Sequence, residues 1–227
     1  MLLIRKPGGD EWWAVVDLWE CNKNIHKLSA PLPNIDRILH RISKGKYQFI
    51  IDGQDACEQI SIVPEHLEHS TITTPDGNMI SMVIQIGDCN APAAYQALMN
   101  YLFGNYIGCW MGVYLDDIVI YLNTLEEHVE HVTTFLDILK HEKLYLSKGK
   151  LYFLCKEMRI LGCLVGDVGI QMDPDKVDSV LNWKTPTNQD LLRRFIRSVG
   201  YLADNIYKVW VSMGMLLAIT GDSIPFK

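Results

Sequence analysis

Hydrophobic positions along this chain follow two spacings, one typical of strands and the other typical of helices. Short apolar runs bounded by turn residues predict strands at residues 2–4, 12–18, 48–51, 60–63, 70–74, 79–86, 151–154 and 160–165. Apolar residues at helical spacing predict helices at residues 35–42, 93–102, 124–139, 175–182 and from 189 onward. Because helices and strands are mixed without regular alternation, the pattern predicts an α+β fold and not a doubly wound sheet.

The predicted helix over 124–139 begins with a capping box, in which Thr124 precedes Glu127 by three residues. Its predicted core-facing residues are Val129, Val132, Phe135, Leu136 and Leu139. His128 and His131 lie three residues apart on the same helix, so they could bind a metal ion together. Glutamates surround both histidines, and a solvated acidic face is therefore the favoured interpretation.

The composition is that of a globular protein of 227 residues, with 48% hydrophobic and 21% charged residues. The formal net charge of −6 argues against a simple nucleic-acid coat, which would be basic overall. A locally basic cleft remains compatible with this charge. Basic residues do crowd two stretches, Lys140, Lys143, Lys148, Lys150, Lys156 and Arg159 in one and Arg193, Arg194 and Arg197 in the other.

No apolar stretch reaches the roughly 18–20 residues that a membrane span needs. The apolar start of the chain, Leu2 to Ile4, is too short for a secretory signal. The six cysteines form no C-x-x-C pair, so neither a zinc site nor a disulfide framework is expected. Reduced thiols fit an intracellular protein, in the cytoplasm or the nucleus, without a membrane partner.

Two adjacent carboxylates, Asp116 and Asp117, lie between two apolar runs within residues 111–122. The pattern predicts a β-hairpin with an acidic tip. Aspartate at a turn is unremarkable by itself, because its side chain often caps local backbone groups. Asp52 also ends an apolar strand, however, so a third carboxylate can meet this pair across a sheet.

Clustered carboxylates must protonate, pair with a cation or bind a metal, because two of them about 4 Å apart repel by about 4 kcal/mol at an effective dielectric constant of about 20. No lysine or arginine lies within residues 47–63 or 111–122. Mg²⁺ prefers oxygen ligands, usually one or two carboxylates with substrate phosphates. Two such ions, for which Mn²⁺ can substitute, activate an attacking hydroxyl and stabilise a leaving oxygen. The predicted reaction class is phosphoryl transfer.

Residues 114–117, Tyr-Leu-Asp-Asp, resemble the Tyr-x-Asp-Asp box of reverse transcriptases, and the leucine form is similar to that of gypsy-class long-terminal-repeat retrotransposon polyproteins of fungal type. The box lies within an ordered series of similar segments that covers about residues 2–207. The other segments are Arg5-Lys6-Pro7-Gly8, Val16-Asp17-Leu18, Asn22-Lys23, Pro31 to Asp36, Asp52 to Ile60, Thr74 to Gly77, Asn90-Ala91-Pro92, Leu161-Gly162, Met172-Asp173-Pro174, Asn182-Trp183 and Pro186-Thr187-Asn188.

The resemblance implies the right-hand polymerase fold. It assigns residues 1–51 and 64–88 to the fingers, and residues 52–63 to a strand pair of the palm. The rest of the palm, with the Tyr-Leu-Asp-Asp hairpin and a hairpin like a primer grip, spans 89–165, and the thumb with the start of the connection spans 166–227. No ribonuclease H, protease or integrase region is expected, which indicates a truncated gene copy or a fragment.

The resemblance also implies an activity, RNA-directed DNA polymerisation, in which a primer 3′-hydroxyl attacks the α-phosphate of a deoxynucleotide on an RNA or DNA template. The implied catalytic residues are Asp52, Asp116 and Asp117, which would hold two Mg²⁺ ions with Asp52 and Asp116 as principal ligands. The implied nucleotide-binding residues are Lys6, Asp55, Ala56, Cys57 and Ile86. The implied primer grip is Leu161 with Gly162.

Several positions depart from the family pattern. Trp13 and Trp19 stand where arginines are usual, and the loss of one charge-assisted contact to phosphate costs about 1.5–3 kcal/mol. Cys57 replaces the aromatic residue that excludes a ribose 2′-hydroxyl, and Ile86 replaces Gln or Phe beside the nucleotide. The alternatives are an impaired relic that keeps the fold and binds nucleic acid, and an unrelated α+β phosphotransferase. The tryptophans, including Trp12, could stack on bases, but packing is the favoured interpretation.

Overall fold

The structure is a computed structural model of the chain. It describes residues 2–5, 10, 12–53, 56–74, 77–155, 157–166, 168–203 and 206–221, without the side chains of Leu2, Trp13, Ala14, Asp52 and residues 147–150. The chain forms two compact units, residues 1–156 and residues 157–227. Each unit has a hydrophobic core of its own.

The first unit mixes helices with antiparallel strands, so the predicted α+β class is confirmed. Its strands are β1 (Leu2–Arg5), β2 (Trp12–Val15), β3 (Tyr47–Gly53), β4 (Thr71–Thr74), β5 (Gly77–Ile80), β6 (Met111–Tyr114), β7 (Asp117–Leu122) and β8 (Leu146–Tyr152). Its helices are α1 (Trp19–Asn24), α2 (Ile35–Ile42), α3 (Ala91–Phe103) and α4 (Leu125–His141), with 3-10 helices at Ala56–Gln59 and Pro64–Ser70.

The core of the first unit is built on a four-stranded antiparallel sheet with the strand order β6-β7-β3-β8. The inner strands carry almost continuous apolar runs, as expected for strands that are covered on both faces. Helices α3 and α4 pack on this core, where Phe103 and Phe135 are fully buried with their ring centroids 5.1 Å apart. The sheet is therefore a rigid support for the residues at the ends of its strands.

Two predicted strands between residues 60 and 86 differ from the structure. Residues 60–63 form no strand, because Ser61 makes an isolated bridge to Val83 and Pro64 then begins a 3-10 helix. Proline has no N–H to continue a ladder, which explains the stop. The strand expected over 79–86 ends at Ile80, which pairs with Thr71 at the open end of the short hairpin of β4 and β5.

The buried face of α4 differs from the predicted stripe at three positions. The buried residues are His128, Val132, Phe135 and Leu139, whereas Val129 and Leu136 are exposed. The favoured interpretation of a solvated acidic face is therefore wrong for His128. Both ring nitrogens of His128 are buried and have no hydrogen-bond partner among the residues that the structure describes, and the ring meets Phe49 edge to face.

The stability of the fold should depend on pH through His128. Burial lowers the pKa of this imidazole, and the charge of His131 lowers it further. The folded state therefore favours the neutral ring, and this contribution to stability is present above the unfolded pKa of about 6.5 and is lost as the pH falls below it. Between pH 7.5 and pH 5.5, the Tm of the wild-type chain should fall by about 2–4 °C more than the Tm of His128→Leu, the shift that about 1 kcal/mol produces at this size.

Thermal unfolding followed by circular dichroism checks this expectation. His141→Leu, on the exposed last turn of the same helix, is the matched control and should follow the wild-type profile. Parallel Tm profiles for wild type and His128→Leu would show that the buried ring does not set the acid limit.

In its described residues the second unit forms three strands and three helices. They are β9 (Glu157–Ile160), β10 (Cys163–Gly166), β11 (Gly169–Met172), α5 (Pro174–Leu181), α6 (Gln189–Leu202) and α7 (Val209–Ala218). The predicted strand pair 151–154 and 160–165 is wrong, because β8 pairs with β3 and a turn at residues 161–162 separates β9 from β10. Nowhere in the described parts of the chain does a helix have both the length and the apolar character to cross a membrane.

Candidate active site

Asp116 and Asp117 lie where β6 and β7 meet. The two strands pair as far as Tyr114 and Asp117, so Leu115 and Asp116 form a two-residue turn. Leu115 has a φ of 54°, a left-handed conformation that costs a non-glycine residue about 1–2 kcal/mol. The turn exposes Asp116 to solvent and leaves Asp117 half-buried.

A buried amide holds this strained turn in place. Gln96 on α3 is fully buried, and its Oε1 accepts a hydrogen bond of 2.9 Å from the backbone N–H of Leu115. Its Nε2 donates to Asn100 Oδ1 over 3.1 Å. Gln96 was not among the predicted site residues. Its signal in the sequence is a polar side chain beside Tyr95 and Met99 on the apolar face of a helix.

Strand β3 brings position 52 to the same end of the sheet. Asp52 lies directly opposite Asp117 in the antiparallel register, and the Gly53 N–H donates to the Asp116 carbonyl oxygen over 3.2 Å. Opposite positions of an antiparallel pair share one face, with about 4.5–5.5 Å between their Cβ atoms. The backbone thus brings together the three positions expected to hold metal.

The metal-binding role of these residues stays a prediction. The side chain of Asp52 lies outside the described side chains. Among the side chains that the structure does describe, no three of histidine, cysteine, aspartate or glutamate are grouped closely enough to hold a metal ion.

Gly53 and the 3-10 helix after it form one side of the candidate site. A Cβ at Gly53 would lie only 2.8 Å from the buried Tyr95 hydroxyl oxygen, so the close approach of β3 to α3 requires glycine. Ala56 and Cys57, both predicted nucleotide-binding residues, follow in this 3-10 helix and are half-buried. Burial raises the pKa of the Cys57 thiol, and the charges of Asp116, Glu58 and Asp88 raise it further. Cys57 is therefore a neutral thiol within electrostatic reach of Asp116.

The other predicted nucleotide-binding residues differ in how they are placed. Lys6 and Asp55 lie outside the described residues. Ile86 is 41% exposed. The charge of Asp88, two residues further along the chain, contributes to the raised pKa of the Cys57 thiol. The segment that carries Ile86 therefore lies near the same thiol.

The interpretation of the tryptophans as packing residues is wrong for two of them. Trp12 is 58% exposed and Trp19 is 70% exposed. The ammonium of Lys23 lies 5.9 Å from the ring centroid of Trp19, a weak cation–π contact at the surface. The side chain of Trp13 lies outside the described ones.

Leu161 and Gly162, the predicted primer grip, form the turn between β9 and β10 in the second unit. Their φ angles of 48° and 73° are both left-handed, as a two-residue hairpin turn requires. The hydroxyl of Tyr201 donates to the Leu161 carbonyl oxygen, and a Cβ at Gly162 would collide with Tyr201 and Lys176. The turn is held within its own unit, and its role in gripping a primer stays a prediction.

Comparison with known protein families identifies this arrangement. Residues 4–165 match the family model described as reverse transcriptase (RNA-dependent DNA polymerase). The fold is similar to that of a foamy viral protease–reverse transcriptase in complex with double-stranded DNA, with a TM-score of 0.87 and 21% identity over 99% of this chain and 40% of that chain. A complex of the foamy viral enzyme with RNA/DNA hybrid gives a TM-score of 0.74 and 23% identity over 86% of this chain and 26% of that chain. These likenesses confirm the right-hand polymerase fold.

Curated relatives are retrotransposon polyproteins, to which the predicted gypsy-class resemblance fits. The retrovirus-related Pol polyprotein from transposon 297 of Drosophila melanogaster is 30% identical over 200 residues, which cover 87% of this chain and 19% of the relative. The transposon Tf2-3 polyprotein of Schizosaccharomyces pombe is 30% identical over 194 residues, 86% of this chain and 15% of the relative. The chain thus spans a fifth or less of these relatives. By its sequence and its fold, the chain belongs to the reverse transcriptase family.

Proposed function

We propose that this chain is the polymerase portion of a retrotransposon polyprotein and that it catalyses RNA-directed DNA synthesis. The observation that carries the proposal is the register that sets Asp52 opposite Asp117, with Asp116 in the adjoining turn. The membership of the chain in the reverse transcriptase family supports a polymerase role for this arrangement. The substrates proposed are deoxynucleoside triphosphates and a primer annealed to an RNA or DNA template.

The proposed division of the chain follows the family resemblance. Residues 1–51 and 64–88 form the fingers, residues 52–63 and 89–165 form the palm, and residues 166–227 form the thumb with the start of the connection. The palm contains the carboxylates. The solved complexes of the foamy viral enzyme with DNA and with RNA/DNA hybrid support binding of a template–primer duplex by this chain as well.

The donor set at the end of the sheet fits hard divalent cations. Among the described residues no lysine or arginine forms an ion pair with Asp116, so its exposed carboxylate keeps its charge available for a metal. We propose that Asp52, Asp116 and Asp117 hold two Mg²⁺ ions. When bound, these ions would activate the primer 3′-hydroxyl and stabilise the departing pyrophosphate.

The other residues of the site would position the substrates. Gln96 fixes the turn of Asp116 through the Leu115 amide, so the carboxylate needs no reorganisation when the substrates bind. Cys57 and Ala56, beside Gly53, would contact the incoming nucleotide. Ile86 would pack against its base and the template.

Primer extension tests the proposal. The chain is incubated with a labelled primer on an RNA template, four deoxynucleotides and Mg²⁺, and the products are resolved by length. Extension that EDTA abolishes is the expected result. Salt-sensitive duplex binding without any extension would contradict the proposal and support the alternative of an impaired relic that only binds nucleic acid.

Sugar discrimination should be weak and should be repairable at Cys57. A thiol is too small to exclude a ribose 2′-hydroxyl, whereas the ring of Cys57→Phe fills that space. The variant should raise the preference for deoxynucleotides over ribonucleotides by about 10–100-fold, the range of a contact worth about 1–3 kcal/mol. The measurement is kcat/KM for single incorporation of dCTP and CTP. Cys109→Phe, at an exposed cysteine, is the control and should leave the ratio unchanged.

A further inference from the structure

A recess lies at the end of the central sheet opposite the carboxylate site, where β7 ends after Tyr121 and Leu122. Its volume is about 270 Å³, and it is formed where the end of α2, the end of β7 and the first turn of α4 meet. The polar residues that line it include Arg41, Lys44, Tyr121, Asn123 and Glu127. None of these residues belongs to the carboxylate site.

The charge of the recess is positive. Arg41 and Lys44 contribute two cations, and no carboxylate in the described part of the chain lies within ion-pair distance of either. Glu127 contributes one carboxylate, which already accepts a hydrogen bond of 2.8 Å from the Thr124 hydroxyl. Two positive charges against one negative charge leave an excess of one positive charge, so the recess favours an anion.

A buried hydroxyl at the recess lacks an acceptor. Tyr121 is only 8% exposed, and its hydroxyl finds no acceptor among the described residues, although the Arg41 guanidinium approaches its oxygen as a donor. Burial raises the pKa of this phenol, and the charge and the donor contact of Arg41 offset that effect only in part, so the hydroxyl keeps its proton at neutral pH. Buried polar groups are nearly always satisfied, and an acceptor from outside the chain would take this proton in a hydrogen bond.

Two glycines leave room for Arg41 and Tyr121 at the recess. A Cβ at Gly108, whose φ is 85°, would collide with the Arg41 guanidinium. A Cβ at Gly45 would lie 2.9 Å from the Cβ of Tyr121. The approach at Gly45 involves the Cβ of Tyr121 and requires glycine, so the position of Tyr121 is built into the fold, whereas the Arg41 guanidinium is the mobile end of a long side chain.

We propose that this recess binds a phosphate monoester group, held by Arg41, Lys44 and the Tyr121 hydroxyl. A dianion with several acceptor oxygens matches two cations and a phenol that converge from different elements. A small shift of the flexible Arg41 side chain would bring one oxygen to the Tyr121 hydroxyl. A terminal phosphate can enter such a recess, whereas an internal phosphodiester continues as a chain on both sides. The group belongs to free phosphate, a nucleotide or the 5′ end of a strand.

Titration of the chain with inorganic phosphate, followed by ³¹P NMR in EDTA, tests the proposal without any metal at the carboxylates. Saturable binding is expected, and Arg41→Gln and Tyr121→Phe should each weaken it by about tenfold or more. Lys140→Gln removes an exposed cation elsewhere and should leave the affinity unchanged. Lys44 is exposed, so Lys44→Gln should not disturb folding, and it should also weaken phosphate binding. This variant keeps the proposal testable if Arg41→Gln fails to fold. Equal affinities for wild type, Tyr121→Phe and Lys44→Gln would overturn the proposal.

Short oligonucleotides separate the sources of the phosphate. A trinucleotide with a 5′-phosphate should displace inorganic phosphate from the wild-type chain, and the same trinucleotide with a 5′-hydroxyl should not. Equal displacement by both would assign the recess to backbone phosphodiesters and would overturn the proposal as stated. Selective displacement by the 5′-phosphorylated strand would support it and name strand ends as one source.

Discussion

Replacing Asp116 with asparagine should lower nucleotide incorporation by about 10³-fold or more, which exceeds the roughly 10²–10³-fold loss that follows removal of one neutral donor to a developing charge. The variant keeps the shape of the side chain and removes the negative charge that a divalent ion needs. Because Asp116 is exposed at a turn, the free energy of unfolding should change by no more than about 0.5 kcal/mol. Single-turnover primer extension and thermal unfolding of the same preparation measure the two effects.

The control for Asp116→Asn is Asp137→Asn, an exposed carboxylate on α4. It should retain wild-type incorporation. If Asp116→Asn kept the activity of the wild type, the assignment of the metal site would be wrong, whatever the family of the chain.

Replacing Gln96 with methionine should weaken both the fold and the activity. Methionine has a similar length but no acceptor, so the N–H of Leu115 would be left unsatisfied at a cost of about 1–3 kcal/mol. The turn that carries Asp116 would lose the contact that holds its left-handed conformation. Incorporation should fall by about 10–100-fold, because a shift of about 1 Å in a reacting group can cost about 10²-fold.

The Mg²⁺ dependence of the incorporation rate distinguishes a role of Gln96 in positioning the carboxylate from a purely structural role. The Mg²⁺ concentration for half-maximal rate should rise in Gln96→Met, since the carboxylate is less well placed. Met99→Ala, at a fully buried position of the same helix, should lose about 2–5 kcal/mol of stability and keep the wild-type Mg²⁺ dependence while folded. If Gln96→Met and Met99→Ala had the same Mg²⁺ dependence, Gln96 would have only a packing role.

Local sequence patterns were sufficient to predict those elements whose structure depends on contacts between residues close together in the sequence. The apolar runs around Asp116 and before Asp52 predicted the strands of the candidate site, and the capping box predicted the start of α4 at Leu125. The face of α4 was predicted less well. Hydrophobicity favours Val129 over His128, but the helix buries residues 128, 132, 135 and 139. Helical spacing fits this stripe and the stripe 129, 132, 136 and 139 equally well, so the choice between them depends on tertiary packing.

The details of the two hairpin turns could not be predicted from local sequence. Leucine is a poor turn residue, yet Leu115 and Leu161 both adopt left-handed φ angles. In each case the compensation comes from a distant residue, Gln96 on α3 for the first turn and Tyr201 on α6 for the second. Such pairs are separated by 19 and 40 residues, so neither propensity nor periodicity reveals them.

The pairing of β3 with β7 limits how this chain can change in length. Successive residues of a strand point to opposite faces, so an insertion or deletion of one residue that shifted this pairing would move position 52 to the other face of the sheet. Point substitutions along β3 do not change the face of the sheet to which position 52 belongs. Frame-preserving indels within residues 47–52 should therefore be far less tolerated than indels of the same size in the connection between α1 and α2, where no strand register has to be kept.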